Sequence, residues 1–108
     1  MTKTELVEPR DLTPNERNLL LFLLGHISFD GAQELAGQVE RTKVAGGIPT
    51  LLQLDVPRTV PASAYKDRRI PQRAFVYAQS GELEGEVIVW VRDGYLSRLE
   101  YAWYTREP

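Results

Sequence analysis

Hydrophobic and polar positions alternate most clearly near the end of the chain, from Glu86 to Tyr104. The run from Val87 to Val91 consists of strong strand formers, and the residues from Tyr95 to Tyr104 alternate as a half-buried strand does. Asp93 and Gly94 stand between the two runs and tolerate the positive φ that a tight reversal needs. The pattern therefore predicts a β-hairpin.

Two registers are open to this hairpin. A two-residue loop would place Val89 opposite Arg98 and mix charge into an apolar row. A three-residue loop from Arg92 to Gly94, with Gly94 in the left-handed conformation, avoids this and is preferred. Because side chains alternate along a strand, this register predicts an inner face of Val87, Val89, Val91, Leu99, Tyr101 and Trp103. The outer face is then Ile88, Trp90, Leu96, Arg98, Glu100 and Tyr104.

Two helices are predicted before the strands. The first begins with Thr13 and Glu16, which form a capping box around Pro14. It is expected to end at Leu24, with Gly25 as a left-handed cap. Its apolar residues leave little room for a polar stripe, so burial over most of the helix is expected. They are Leu19, Leu20, Phe22, Leu23 and Leu24.

The second helix is expected to follow within a few residues. Asp30 serves as its cap, with Gln33 at the reciprocal position of the capping box. One face is apolar, with Ala32, Leu35, Ala36 and Val39. The other face is polar, with Gln33, Glu34, Gln38, Glu40 and Arg41. The two helices together predict an αα-hairpin.

The order of elements predicts an α+β fold. Strands are expected over Thr50 to Val56 and Arg73 to Gln79, followed by the two strands of the hairpin. Helices followed by strands indicate an N-terminal αα-hairpin packed on one face of a four-stranded antiparallel β-meander. Residues 1–11 are expected to form a flexible arm, and residues 12–108 a single domain.

Composition excludes several kinds of chemistry. The chain has no cysteine and one histidine, His26, which excludes disulfides, thiolate catalysis and a multi-histidine metal site within one chain. We interpret His26 as a capping or packing residue rather than a general base. No cofactor is predicted, because Gly46 and Gly47 lack the lysine of a phosphate loop. The longest apolar run is too short to span a membrane and no signal peptide is evident, so a cytoplasmic protein is expected.

Charge is unevenly distributed, although the net charge is only −2. Residues 57–74 form a long irregular connection that holds five cations against the single carboxylate of Asp67. The cations are Arg58, Lys66, Arg68, Arg69 and Arg73. One interpretation is a solvated loop whose charges pair with acidic neighbours. The other is a nucleic-acid interface, although Tyr65 is the only aromatic residue inside the cluster.

Two stretches, LTPNERNLLLFLL from Leu12 to Leu24 and VRDGYLSRLEYAWY from Val91 to Tyr104, resemble a family of small uncharacterised actinobacterial proteins. The resemblance implies a shared fold and no known activity. Members of that family often carry cysteines ahead of the first strand, where this chain has Gly46 to Pro49. No thiol or metal role is therefore carried over.

The leading functional hypothesis is a small non-catalytic protein–protein interaction module. Its binding residues would be Trp90, Leu96 and Tyr104, because helices on the opposite face leave these bulky side chains without a partner in the monomer. A homodimer through the sheet is the simplest version, and an inhibitor of the immunity-protein or antitoxin type is a more specific one. The connection 57–74 could instead fold over this face and bury it.

Two alternatives stay open. Arg58, Arg68 and Arg69 would bind nucleic acid if the basic connection is an interface. A small enzyme or ligand-binding protein would use a pocket between sheet and helices, with Glu86 and Glu100 as paired carboxylates. Arg98 beside that pair favours a neutralised surface ladder instead. No catalytic motif supports the enzyme, so the interaction module is preferred.

Overall fold

The computed structural model describes residues 5–26, 28–71 and 74–103, and the predictions for Tyr104, for Arg73 and for the His26 side chain fall outside them. The fold is α+β. Its helices are α1 (Pro14–His26) and α2 (Ala32–Gln38), the second continuing into a 3₁₀ turn over Val39–Arg41. Its strands are β1 (Arg10–Asp11), β2 (Lys43–Ile48), β3 (Leu51–Asp55), β4 (Arg68–Arg69), β5 (Ala74–Tyr77), β6 (Leu83–Arg92) and β7 (Tyr95–Trp103).

These strands form one antiparallel sheet in the order β1-β2-β3-β7-β6, with β4 and β5 both pairing along the free side of β6. The sheet is larger than the predicted meander. Two of the extra strands, β1 and β4, have only two residues each, and two residues are too few to show an alternation. The third, β2, contains Gly46 and Gly47, and glycine is depleted in strands, so the pattern predicts no strand there.

The predicted order of strands is wrong at one place. The meander put the strand from Thr50 to Val56 beside residues 73–79, whereas β3 pairs with β7, with Leu52 opposite Leu99. The reason lies in residues 56–67, which carry the chain from β3 to β4 on the helix side of the sheet. There Ser63 Oγ donates to the carbonyl oxygen of Gly31 at 2.7 Å.

This crossover is held by apolar side chains. Val56 at its start is buried, Val60 packs half-buried against the core, and Ile70, directly after β4, is buried as well. Burial of these side chains removes apolar surface from water, which stabilises a long connection that would otherwise be solvated. Residues 56–66 therefore pack on the inner face together with the helices, and the chain then joins the sheet itself as β4.

The central hairpin turns through Asp93 (φ 53°) and Gly94 (φ 81°), with Arg92 directly opposite Tyr95. The left-handed conformation of Gly94 is confirmed, but the three-residue loop is wrong. An extra residue in β7, Ser97, forms a bulge. Because the bulge shifts the register by one residue, the hairpin has a two-residue turn and still pairs apolar residues further along, as Val89 lies opposite Leu99.

The same bulge changes the face of one predicted binding residue. Val91 and Leu96 are paired, so Leu96 points to the inner face with Val91 and is only 2% exposed. Its predicted place on the outer face is therefore wrong. Beyond the bulge the alternation is regular, and the side chain of Trp103, predicted for the inner face, lies outside the described residues. The inner residues Val87, Val89, Val91 and Leu99 are buried in the core.

The start of α1 is confirmed in detail. The N–H of Thr13 donates to Glu16 Oε1 at 2.9 Å, and the N–H of Glu16 donates to Thr13 Oγ1 at 3.1 Å. The ends of the helices differ from prediction. Gly25 lies inside α1, and α2 begins after Gly31 (φ 94°) rather than with Asp30 as its cap.

One side of α1 is more exposed than its sequence indicated. Leu20, Leu23 and Leu24 are buried in the core, whereas Leu21 is 37% and Phe22 56% exposed. The expectation of burial over most of the helix is therefore wrong, because the core covers only one side of α1. In the described part of the chain, neither helix has both the length and the apolar character that crossing a membrane requires.

The sheet begins within the segment that sequence analysis assigned to an N-terminal arm. The N–H of Val7 donates to the carbonyl oxygen of Gly47 at 2.9 Å, and β1 pairs with β2. The Arg10 guanidinium bonds to both carboxylate oxygens of Glu16, at 2.8 and 2.9 Å. This hydrogen-bonded ion pair holds the pKa of Glu16 below its usual value. Burial raises the pKa of nearby Tyr101.

Candidate protein interaction surface

An open groove of about 860 Å³ lies on the outer face of the sheet, close to the β6–β7 turn. We call it the Trp90 groove, after the aromatic residue in its lining. Strands β2, β3, β4, β6 and β7 contribute to its walls. The charged residues in the lining are Asp55, Asp67, Arg68, Arg92, Asp93 and Arg98.

Trp90 is held in one orientation by two neighbours on β7. Its indole Nε1 donates to Glu100 Oε1 at 2.8 Å, and the guanidinium carbon of Arg98 lies 5.3 Å from the ring centroid. Trp90 and Arg98 face each other directly across β6 and β7, which explains the contact. Because the half-buried ring is already fixed, little side-chain entropy would be lost if a partner bound there.

The rim of the groove is formed by the junction of the crossover and the hairpin turn. Asp67 Oδ1 accepts the N–H of Asp93 at 2.7 Å, and the N–H of Gly94 donates to the carbonyl oxygen of Lys66 at 3.2 Å. These bonds hold β4 against β6, with Arg68 opposite Val91. The position of Arg68 at the groove therefore depends on the turn residues.

The groove carries charges of both signs that are not joined in pairs. Three acidic and three arginine side chains line it. The ion pairs among the residues that the structure describes lie elsewhere: Arg10 with Glu16, Arg17 with Glu40, and Lys43 with Asp11. The guanidinium groups of the groove could therefore bind a carboxylate of another molecule. Its carboxylates could likewise bind a cationic side chain.

The structure separates the members of the predicted basic cluster. Arg58 stacks on Tyr95, with its guanidinium carbon 4.1 Å from the ring centroid. Arg68 stacks in the same way on Tyr65, at 4.9 Å, and also lines the Trp90 groove. Arg69 accepts the Tyr65 hydroxyl at its carbonyl oxygen and pairs with Trp90 across β4 and β6. The arginines therefore lie next to three aromatic residues, Tyr65, Tyr95 and Trp90, whereas the sequence segment itself contains only Tyr65.

Arg58 does not line the groove. It stacks on Tyr95, which is itself largely buried and whose hydroxyl donates to the carbonyl oxygen of Val60 at 2.8 Å within the crossover. The three candidate arginines thus do not form one continuous patch on the outer face. Arg68 and Arg69 lie beside Trp90, and Arg58 lies with the crossover.

The carboxylates considered for acid–base chemistry are diagonal neighbours. Glu100 lies opposite Ile88, and Glu86 lies opposite Ala102. One oxygen of Glu100 accepts the Trp90 indole N–H, and Glu86 is only 5% exposed. The chemical role that the geometry gives Glu100 is to orient an aromatic ring. No group of three or more potential ligands in the described ranges could hold a metal ion.

Trp90 is a predicted binding residue, whereas the groove around it is not predicted from the sequence. Gln53 and Asp55 join Trp90 only because β3 lies beside β7, and the meander had placed β3 elsewhere. Arg98 was assigned correctly to the outer face. The alternation of β7 was the one signal that could have pointed to its contact with Trp90.

No protein-family model matches this chain, and neither the curated proteins nor the solved structures give a match. The resemblance to small actinobacterial proteins therefore stays a prediction.

Proposed function

We propose that this chain is a small non-catalytic interaction module that binds a partner protein in the Trp90 groove. The observation that carries the proposal is the geometry of Trp90, a half-buried ring fixed by Glu100 and Arg98 in a groove open to solvent. Tryptophan and arginine are, with tyrosine, enriched among the residues that contribute most of the binding energy at protein interfaces. An inhibitor of the immunity-protein or antitoxin type is a more specific form of this proposal.

The charges of the groove favour a protein over a nucleic acid. Asp55, Asp67 and Asp93 line it together with three arginines, so its charge is close to balanced. A phosphate backbone would meet three carboxylates, and nucleic-acid interfaces are strongly positive. A protein surface that presents an acidic and a basic side chain around an apolar centre matches both signs, and complementary charges favour one partner over others.

The experiment has two steps, the first of which only identifies a partner. Immobilised chain captures proteins from a lysate of its source cells, and a captured protein is purified. That protein is then titrated against the wild type, Trp90→Ser, Arg98→Ala and Phe22→Ser. The last variant is a matched control, because Phe22 is an exposed aromatic residue on α1 rather than on the sheet.

The proposal expects Trp90→Ser and Arg98→Ala to weaken binding at least about tenfold, or 1.4 kcal/mol, and Phe22→Ser to leave it unchanged. Thermal melting checks that each variant is folded. A partner that binds folded Trp90→Ser as tightly as the wild type would contradict the proposal.

A titration with mixed-sequence DNA and RNA at two salt concentrations separates the nucleic-acid alternative. Binding that falls steeply with salt and is lost in an Arg68→Ala/Arg69→Ala variant would favour that alternative. Under the proposal, neither nucleic acid binds with an affinity that depends on these two arginines.

A further inference from the structure

A row of paired residues crosses the outer face of the sheet from strand to strand. Arg69 on β4 lies opposite Trp90 on β6, and Trp90 lies opposite Arg98 on β7. The row continues to Gln53 on β3, which lies opposite Arg98. Residues directly opposite each other in an antiparallel sheet share one face. One ring therefore stands between two arginines, and we call Arg69, Trp90 and Arg98 the arginine ladder.

Both arginines of the ladder are exposed. The guanidinium carbon of Arg98 lies over the Trp90 ring, a cation–π contact that leaves the N–H donors of the guanidinium free. The ion pairs between residues that the structure describes involve neither Arg69 nor Arg98. The ladder thus presents two guanidinium groups, one on each side of a fixed ring, to a ligand on the outer face.

Carboxylates flank the ladder without lying in it. Glu100 follows Arg98 by two residues on β7 and accepts the Trp90 indole N–H at 2.8 Å. Asp55 lies on the other side of the row, two residues beyond Gln53 on β3. A broadly acidic surface would meet like charges on both sides, which is unfavourable. Only carboxylates confined to one line match the ladder, and a cationic side chain beside that line matches Asp55.

The spacing of the ladder selects the shape of the ligand. Neighbouring strands lie about 4.8 Å apart, so Arg69 and Arg98 are separated by about 10 Å, with Trp90 between them. In an α-helix, residues i and i+7 share one face about 10.5 Å apart, and residue i+4 lies between them. Residues on one face of a strand recur at about 6.8 Å and 13.6 Å, which fits the two arginines less well.

We propose that the partner protein contributes an amphipathic α-helix that lies along the arginine ladder. One carboxylate of the helix binds Arg69, one binds Arg98, and an apolar side chain between them packs on Trp90. In sequence this is Asp or Glu at i and i+7, with an apolar residue at i+3 or i+4. The inference rests on the proposed function and states the chemistry of its partner.

The two kinds of contact contribute differently. An exposed ion pair is weak by itself and is screened by salt, whereas a tryptophan ring contributes through its large apolar area. Guanidinium and carboxylate groups join through two parallel hydrogen bonds, which fixes their relative position. The ring of Trp90 therefore supplies affinity, and the two arginines select the spacing of the carboxylates.

The first test uses three synthetic alanine-based helical peptides of equal length as probes. The first peptide has Glu at i and i+7 and Leu at i+4. The second has Gln in place of both Glu residues. The third keeps both Glu residues but has one at i+5 instead of i+7, on a different side of the helix. Each is titrated at low salt into isotopically labelled full chain, and NMR follows the indole N–H of Trp90.

The first peptide should shift the Trp90 indole signal and bind at least about fivefold more tightly than the second or the third. The variant Arg69→Gln/Arg98→Gln should bind all three alike. Arg41→Gln is the matched control, because Arg41 is an exposed arginine away from the outer face, and it should discriminate as the wild type does. Equal affinities of the first and third peptides, or an unchanged Trp90 signal, would overturn the proposal.

The second test separates this inference from the proposed function and uses the purified partner protein. Arg69 does not line the Trp90 groove, so a partner that occupies the groove alone does not need it. Arg69→Gln should weaken partner binding about threefold, and Arg41→Gln should leave it unchanged. If Trp90→Ser weakens binding and Arg69→Gln does not, the helix along the ladder is wrong and the proposed function stands. If neither weakens binding, both are wrong.

Discussion

The Gln38 side chain donates from Nε2 to the carbonyl oxygen of Gly94, 2.9 Å away, and so joins the end of α2 to the β6–β7 turn. Its Oε1 accepts the N–H of Leu96 at 3.0 Å. The side chain is fully buried, so these bonds are formed away from water. One amide thus satisfies backbone groups that lie 56 and 58 residues further along the chain.

Gln38→Met should reduce the free energy of unfolding by about 1 to 3 kcal/mol. Methionine has a similar volume but leaves the Leu96 N–H buried without an acceptor, and one unsatisfied buried group costs about 1 to 3 kcal/mol. Urea unfolding measures the loss. Gln33→Met on the exposed side of α2 is the control and should change stability by less than about 0.5 kcal/mol. Equal stabilities of the two variants would show that the amide bonds contribute nothing.

Gly94→Ala should destabilise the protein by several kcal/mol more than Gly81→Ala. Both glycines have positive φ, 81° and 93°, so the backbone strain of about 1 to 3 kcal/mol is common to the two variants. They differ in surroundings, because a Cβ at Gly94 would lie 2.6 Å from the carbonyl oxygen of Ser63 and a Cβ at Gly81 would meet no atom within 4 Å. Thermal melting of both variants checks this, and similar melting temperatures would contradict the close packing of the crossover on the turn.

Leu20→Ala and Leu23→Ala should each cost about 2 to 5 kcal/mol, because both side chains are completely buried in the core. Leu21→Ala on the same helix removes a side chain that is 37% exposed and should cost far less. Helix propensity changes equally in all three variants, so the difference between them isolates burial. Denaturant unfolding of the three proteins gives the comparison, and a uniform cost would contradict the orientation of α1.

Arg10→Met should destabilise the protein near neutral pH by about 1 kcal/mol, a modest value because the Arg10 side chain is 37% exposed. Arg10 lowers the pKa of Glu16 in the folded state, so the ion pair stabilises the fold above the unfolded pKa of about 4.3. That contribution is lost as the pH falls through the lower folded pKa.

The stability difference between the wild type and Arg10→Met should therefore shrink in acid. Unfolding measured over a series of pH values tests this. Lys43→Met is the control, because its ion pair with Asp11 is largely exposed on both sides and should contribute little at any pH. A difference for Arg10→Met that stays constant down to the lowest pH would contradict the role of Glu16.

Local signals in the sequence were enough for several elements. The capping box of Thr13 and Glu16 involves residues three apart, and the strands around Gly94 follow from alternation over neighbouring positions. Leu96 was assigned to the wrong face because a bulge one residue away reverses the alternation. A bulge adds a single residue to one strand, and a pattern of apolar and polar residues does not show where that residue lies.

Contacts between residues far apart in the sequence could not be predicted from hydrophobic periodicity. Gln38 was assigned to the polar face of α2, as its amide and its spacing indicate, yet it is buried because the crossover and the turn supply its partners. The Trp90 groove was missed for a related reason. It needs β3 beside β7, and that neighbour relation depends on how a long irregular segment packs.

The position of β7 between β3 and β6 has a consequence for folding in the cell. This strand is the last that the structure describes, yet it lies between the two neighbours that it joins into one sheet. During synthesis from the N-terminus, the hairpin of β2 and β3 therefore emerges long before the strand it must pair with. Contacts between residues far apart in sequence slow folding. We expect the nascent chain to acquire its protease-resistant fold only after β7 has left the ribosome, in a single late step.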